Sequence, residues 1–166
     1  MLYTIWVIPP EELENKLKKV IEQLAGEFNG LKFEPHMTLL GDIEGDLFEI
    51  KEKVKTLVSG IDKLELSLGS VSFSTTYFQS VFVRVNSTAK LMNLNLAAKK
   101  LLGVENNVFM PHISLLYGDH DMEIRQLAAS KVKLPEVFFT VNELVIVPAK
   151  LNPAEWEHLA IVPFLS

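Results

Sequence analysis

One six-residue pattern occurs twice in the chain, as PHMTLL at residues 35–40 and as PHISLL at residues 111–116. Each copy contains proline, histidine, an apolar residue, a hydroxyl residue and two leucines, and is soon followed by glycine and aspartate. The two histidines, His36 and His112, are 76 residues apart. A single histidine in a strand is most often a half-buried structural residue, but a repeat in the same frame indicates a duplicated functional unit.

Each copy places an imidazole beside a hydroxyl group. In a β-strand, side chains two residues apart project from the same face, and their Cα atoms are about 6 to 7 Å apart. His36 therefore shares a face with Thr38, and His112 shares a face with Ser114. The apolar residue between each pair points the other way, into a core. The preceding prolines suit strands at a sheet edge, where an amide hydrogen is not needed for pairing.

The flanking sequence alternates between helical and strand periodicity. Apolar residues at spacings of three and four predict helices that follow Pro10, span Leu47–Val58 and span Met122–Ser130. A further helix is predicted to begin at Ser87 or Thr88, either of which can cap it, and to end at Gly103. Strands are predicted at Leu2–Ile8, Leu64–Leu68, Val81–Val85, Val137–Pro148 and Glu157–Phe164, with a hairpin around Thr75–Gln79. Several strands follow one another without a helix, so we expect an α+β fold with an antiparallel or mixed sheet, in a single domain over residues 1–166.

The composition favours a small ligand over a polymer. The 166 residues include 16 Lys and Arg against 21 Asp and Glu, for a net charge of −5, and the only arginines are Arg84 and Arg125. Binding of a long nucleic acid requires clustered cations, so we expect no such partner. There is no cysteine, which excludes thiolate chemistry and disulfides. No signal peptide or membrane span is recognisable, and we expect a cytoplasmic monomer.

Two such strands around a pseudo-two-fold axis would place two histidines on opposite sides of one small anion. Hydrolysis of a cyclic phosphate needs a base for the attacking water and an acid for the departing alkoxide. Histidine serves either task near neutral pH. The hydroxyl groups of Thr38 and Ser114 would donate hydrogen bonds to phosphoryl oxygens. A bell-shaped pH profile is expected, and either histidine can be the base.

The chain resembles the two-histidine phosphoesterases. Besides the repeated pattern, the stretches that are similar to the plant and fungal cyclic phosphodiesterases are WVIPP at residues 6–10, EF at 27–28, FEPH at 33–36 and YFQ at 77–79. The resemblance implies a bilobal α+β fold, with two sheet lobes, outer helices and an internal pseudo-two-fold. It also implies metal-independent, cofactor-free hydrolysis of ADP-ribose 1″,2″-cyclic phosphate to ADP-ribose 1″-phosphate and of nucleoside 2′,3′-cyclic phosphates to nucleoside 2′-phosphates. His36 and His112 would be catalytic, and Thr38 and Ser114 would bind the phosphate.

Four aromatic residues are weaker candidates for contacts with the base or ribose. They are Trp6, Tyr77, Phe78 and Tyr117. An aromatic platform can stack on any base. Strand parity places Tyr117 on the face opposite Ser114, so its contact with a ligand would need a bend at Gly118. The alternative for each of these residues is ordinary packing.

Two other polar positions are interpreted as structural. The run Asp119-His120-Asp121 is typical of a solvated turn before a helix, because consecutive side chains splay apart and rarely bind one metal ion. His158 alternates with apolar neighbours, as a structural strand residue would.

Two functional alternatives remain open from the sequence. One is an RNA-end phosphodiesterase or a 2′,5′-RNA ligase-like enzyme of the same superfamily, which would need a basic track beside the motifs. The other is a nucleotide-binding module that retains the pocket without turnover.

Overall fold

The computed structural model describes residues 1–105 and 108–164 of the chain. The strands are β1 (Leu2–Val7), β2 (Met37–Glu44), β3 (Leu64–Phe73), β4 (Val81–Val85), β5 (His112–Leu116), β6 (Phe138–Val141), β7 (Glu143–Pro148) and β8 (Ala160–Pro163). The helices are α1 (Glu11–Phe28), α2 (Leu47–Val58), α3 (Ala89–Leu102) and α4 (Met122–Lys131), and short 3₁₀ turns occur at Tyr77–Gln79 and Pro153–Glu155. The predicted α+β class is confirmed.

The eight strands form one antiparallel sheet in the order β6-β3-β4-β5-β2-β1-β7-β8. Two four-stranded halves meet at β5 and β2, whose ladder consists of the pair Met37 and Ile113. The motif strands are therefore central, and the prediction of edge strands was wrong. Pro35 and Pro111 precede the ladder, and the Pro111 carbonyl accepts a hydrogen bond from the Val85 amide, so neither proline has to donate within a strand.

The two halves repeat the same unit. The segment β1-α1-β2 in one half has the same order as β4-α3-β5 in the other. The register repeats as well, because Trp6 pairs with Thr38 as Phe82 pairs with Ser114. The same 76-residue offset that separates the histidines separates Trp6 from Phe82. The internal pseudo-two-fold that the sequence predicts is confirmed.

The helices cover one face of the sheet and leave the motif side chains on the other. The apolar stripe of α1 is buried at Leu13, Leu17, Ile21, Leu24 and Ala25. These residues share a core with Met37 and Ile113, the residues between histidine and hydroxyl in each copy. Because side chains alternate along a strand, the histidines and hydroxyls face away from that core.

Local signals place α3 where the periodicity predicts it. The Thr88 hydroxyl caps the helix by accepting a hydrogen bond from the Leu91 amide, and Gly103 ends it with a left-handed backbone at φ 72°. The stretch from Val137 to Pro148 is two strands rather than one, and these lie in opposite halves of the sheet. In the described part of the chain, no helix is long and apolar enough to cross a membrane.

Candidate active site

The two motif strands line one cleft of about 200 Å³ on the face of the sheet opposite the helices. All four residues of the predicted tetrad reach it, namely His36, Thr38, His112 and Ser114. The remaining lining residues are Thr4, Trp6, Phe78, Tyr117, Val147, Pro148, Ala149, Lys150, Leu151 and Trp156. The duplicated pattern thus converges on a single cleft, with one copy contributed by each half of the fold.

Both imidazoles are held in the same way. The Nδ1 atom of His36 lies 2.8 Å from the carbonyl oxygen of Glu34, and the Nδ1 atom of His112 lies 2.8 Å from that of Met110. A carbonyl can only accept, so Nδ1 carries the proton and donates it in each ring. Nε2 of each neutral ring is left as the basic nitrogen, available to take a proton from a bound molecule.

His36 is enclosed by aromatic rings. The Trp6 indole stacks on it with 3.7 Å between ring centroids and 11° between planes, and Trp156 meets it edge-on at 5.4 Å. Burial disfavours the charged ring and lowers the pKa of His36 to about 4, against the opposing effect of the hydrogen bond to Glu34. The positive charge of His112 lowers the pKa of His36 further, as expected for two imidazoles in one cleft.

His112 has different neighbours. Phe82 presents its ring at 5.5 Å and 72° instead of stacking. Arg84, the cross-strand partner of His112, holds its guanidinium 5.7 Å from the centroid of the Phe82 ring. The pKa of His112 is lowered mainly by burial and also by the positive charge of Arg84, while the hydrogen bond to Met110 opposes the shift. Both histidines are therefore neutral in the unliganded cleft at pH 7.

The two hydroxyl groups are not equivalent. Ser114 donates its hydroxyl hydrogen to the Phe78 carbonyl at 2.6 Å. Among the described residues, the Thr38 hydroxyl has no such partner and is free to donate into the cleft. A phosphate oxygen can thus be met directly by Thr38, whereas Ser114 must first turn its hydrogen away from Phe78.

The aromatic candidates fall into two groups. Trp6, Phe78 and Tyr117 line the cleft, whereas Tyr77 does not and packs edge-on against the Phe78 ring at 4.8 Å. Trp6 is only 2% exposed, which leaves little indole surface for a base.

Tyr117 reaches the cleft in spite of strand parity. The strand β5 ends at Leu116, and Gly118 follows with φ 138°, a backbone conformation that favours glycine. The Tyr117 ring stacks on Phe33 at 3.8 Å, and burial raises the pKa of its hydroxyl. The turn at Gly118 that a ligand contact would require is present, and contact of Tyr117 with a ligand stays a prediction.

Among the residues of the site region that the sequence did not predict, three carry polar or aromatic groups of interest. Trp156 and Lys150 come from the connection between β7 and β8, where Trp156 Nε1 donates to the Lys150 carbonyl at 2.7 Å. Glu34 precedes β2, and its side chain accepts a hydrogen bond from His158. Only Glu34 could have been found from the sequence, because it directly precedes the first motif. No pattern in the sequence indicates that residues 150–158 lie near this motif.

Residues 119–121 form the turn before α4 and no metal site. His120 Nε2 donates to the Phe28 carbonyl at 2.7 Å, and Asp121 is the residue before the first turn of the helix. Over residues 1–105 and 108–164, no group of three or more His, Cys, Asp or Glu side chains is placed to hold a metal ion.

Comparison with known proteins shows relatives along nearly the whole chain. The chain is 28% identical to the cyclic phosphodiesterase of Arabidopsis thaliana, over 96% of this chain and 93% of that protein. The crystal structure of E. coli LigT complexed with 3′-AMP has a TM-score of 0.64 at 16% identity, and the one with NADP+ has 0.62 at 16%. Each covers 99% of this chain and 98% of LigT, which shows a common fold.

The family model described as cyclic phosphodiesterase-like protein matches residues 1–163. Together with the Arabidopsis relative, this match confirms the prediction of an enzyme of the cyclic phosphodiesterase class. The resemblance first seen in the sequence therefore extends to the fold. The chain belongs to the family of cyclic phosphodiesterase-like proteins.

Proposed function

We propose that the protein hydrolyses small cyclic phosphates without a metal ion, with His36 and His112 as the acid–base pair. The observation that carries this proposal is that both imidazoles donate through Nδ1 to a carbonyl two residues back and line one cleft. Each therefore turns the same nitrogen, Nε2, to a ligand between them. Thr38 and Ser114 supply hydroxyl groups beside them.

The proposed reaction is a displacement at phosphorus. A water oxygen forms a bond to phosphorus while the bond from phosphorus to one ring oxygen of the cyclic ester breaks. One histidine takes the proton of the water through Nε2, and the other gives a proton to the departing alkoxide. The proton balance is the same whichever histidine is the base, because one histidine gains a proton and the other loses one.

The acid takes up its proton from solvent when the substrate binds. Burial lowers the pKa of both histidines in the empty cleft, so neither carries the required charge at pH 7. A bound phosphate anion favours the charged imidazole and raises the pKa of its neighbour. The cationic acid is thus stabilised only when a phosphate is bound.

The proposed substrates are ADP-ribose 1″,2″-cyclic phosphate and nucleoside 2′,3′-cyclic phosphates, with nucleoside 2′-phosphates as products of the latter. A cleft of about 200 Å³ suits the cyclic phosphate and its ribose better than a whole nucleotide, which would extend past the rim. LigT, which shares the fold, has been crystallised with 3′-AMP and NADP+. At the rim, Lys150 is the only Lys or Arg among the described lining residues.

A small substrate also fits the charge of the chain. The net charge is −5, and the cleft has a single lysine among its described lining residues, whereas binding along an RNA backbone requires a series of cations. We therefore propose no long nucleic acid as a partner.

The test is product analysis on a panel of cyclic phosphates in excess chelator. We expect turnover of both substrate classes, with the nucleoside 2′-phosphate as the product, and loss of turnover in His36→Ala and His112→Ala. Turnover that depends on an added divalent ion would overturn the metal-free mechanism. Salt-sensitive activity on RNA ends alone would favour the RNA-directed alternative, and tight product binding without turnover would favour a binding module.

A further inference from the structure

His36 and three other residues form a closed ring of contacts. The Glu34 carbonyl accepts the hydrogen of His36 Nδ1 at 2.8 Å, and the Glu34 carboxylate accepts that of His158 Nε2 at 2.8 Å. The His158 ring meets Trp6 edge-on at 6.4 Å, and Trp6 stacks on His36 at 3.7 Å. Glu34 is thus joined to His36 by its backbone and to His158 by its side chain.

The backbone at Glu34 needs such an anchor. Residues 30–36 lie between α1 and β2 and belong to no helix or strand, so no ladder fixes the direction of the Glu34 carbonyl. That direction decides where the His36 ring points and which nitrogen carries its proton. The side-chain bond to His158 connects this segment to the last part of the chain, just before β8.

The second copy of the motif has no equivalent. Met110 occupies the position of Glu34, and its thioether cannot form a charge-assisted hydrogen bond. The second copy is fixed from another side, because Ser114 is bonded to the Phe78 carbonyl. The buried Arg125 in turn binds the Ser74 and Thr76 carbonyls of the same loop at 2.7 and 2.8 Å.

We propose that Glu34 and His158 are a positioning pair for His36: their side-chain bond holds the Glu34 carbonyl in place, and this carbonyl sets the orientation and tautomer of the imidazole. The inference rests on the proposed function of His36. A side-chain hydrogen bond of this kind, between groups 27% and 34% exposed, contributes little to overall stability. A positioning role therefore predicts a loss in kcat without a matching loss in stability.

The test compares His158→Ala with His158→Gln, whose amide can still donate to the Glu34 carboxylate. We expect His158→Ala to lower kcat about 10-fold, as misplacement of a catalytic group does, with KM within about 2-fold of the original. His158→Gln should recover most of that loss. Glu143→Gln is the matched control, because Glu143 lines the same outer groove as Glu34 and His158 without touching the ring of contacts, and it should leave kcat unchanged.

A second readout does not depend on activity. Nitrogen-15 NMR of the histidine rings should show His36 as the Nδ1–H tautomer in the original protein and in His158→Gln, and as a mixture in His158→Ala. His112 should keep its tautomer in all three. An unchanged tautomer in His158→Ala, or equal loss of kcat in the Ala and Gln variants, would overturn the pairing. If the original protein hydrolyses no cyclic phosphate, the proposed function fails, while the tautomer experiment still decides the pairing.

Discussion

The two copies of the motif have the same frame and different surroundings. In both, the histidine lies at the start of a central strand, His36 directly before β2 and His112 as the first residue of β5. In both, its Nδ1 donates to the carbonyl two residues back, and its hydroxyl partner pairs across the ladder with an aromatic residue. The aromatic residue is Trp6 in the first copy and Phe82 in the second. The shared features all follow from the repeated β-α-β unit.

The two copies differ in the side chains that surround each imidazole. Trp6 stacks flat on His36, whereas Phe82 meets His112 edge-on. The cross-strand neighbour of His112 is Arg84, and the residue at the same place beside the first copy, 76 positions earlier, is Ile8. The repeat thus orients two imidazoles alike, and the neighbours that are not repeated give them unequal proton affinities. An acid and a base need such inequality.

Loss of either histidine should have the largest effect. We expect His36→Ala and His112→Ala each to lower kcat by roughly 10²- to 10⁴-fold, the range for one proton transfer. The two variants should lose opposite limbs of the bell-shaped pH profile, since one removes the base and the other the acid. The double variant should be little worse than the poorer single one. Loss of the same limb in both variants would contradict a division of roles.

Removal of the hydroxyls should come next, and unequally. A hydrogen bond to a charged oxygen is worth about 1.5 to 3 kcal/mol, so we expect Thr38→Val to lower kcat/KM by roughly 10- to 150-fold. Ser114→Ala should lose less, because Ser114 must give up its bond to the Phe78 carbonyl before it can bind phosphate. Thr4→Val, another lining threonine, is the control and should change little. A larger loss in Ser114→Ala would refute the ranking.

The aromatic rings that bury His36 should affect how the stability of the protein depends on pH. The folded pKa of His36 lies at about 4, below the unfolded value near 6.5. The unfolded chain therefore binds this proton first, and the contribution of His36 to stability is present above pH 6.5 and lost as the pH falls towards 4. Trp6→Ala should admit water to the His36 ring and raise the pKa of His36. The pH range over which the contribution of His36 to stability is lost should then become narrower. Proton NMR titration measures the pKa of His36 in both proteins. An unchanged pKa in Trp6→Ala would exclude burial by Trp6 as the cause of the lowered pKa.

Lys150 should have the smallest effect, confined to one substrate class. A rim lysine contributes up to about 1 kcal/mol, so Lys150→Ala should raise KM for ADP-ribose 1″,2″-cyclic phosphate by about 2- to 5-fold. A nucleoside 2′,3′-cyclic phosphate has no second phosphate and should be unaffected. Lys53→Ala, an exposed lysine of α2, is the matched control. Equal changes in KM for both substrates would show that Lys150 does not discriminate between them.

The sequence predicted the tetrad because its information is local. A strand alternates its side chains, so the spacing of His36 and Thr38 fixes their common face, and the second copy repeats the geometry. The class of fold and the caps of α3 follow from equally local patterns, such as Thr88 before an apolar stripe and Gly103 after it.

The rest depends on which distant segments meet. The prolines suggested edge strands, but the repeat places both motif strands at the centre of the sheet, where each proline lies just outside the ladder. His158 alternates with apolar residues like a structural histidine, yet chain folding brings it 2.8 Å from Glu34, which is 124 residues earlier. Trp156 and Lys150 reach the cleft through a loop whose path no periodicity encodes.

The claim that two imidazoles share one phosphate is tested most directly by nitrogen-15 NMR of the histidine rings during titration with adenosine 2′-phosphate, a product of the proposed reaction. We predict that the Nε2 resonances of His36 and His112 shift together with one Kd, that one ring gains a proton, and that His120 does not respond. A shift at only one of the two rings, or shifts with two different Kd values, would contradict a common site.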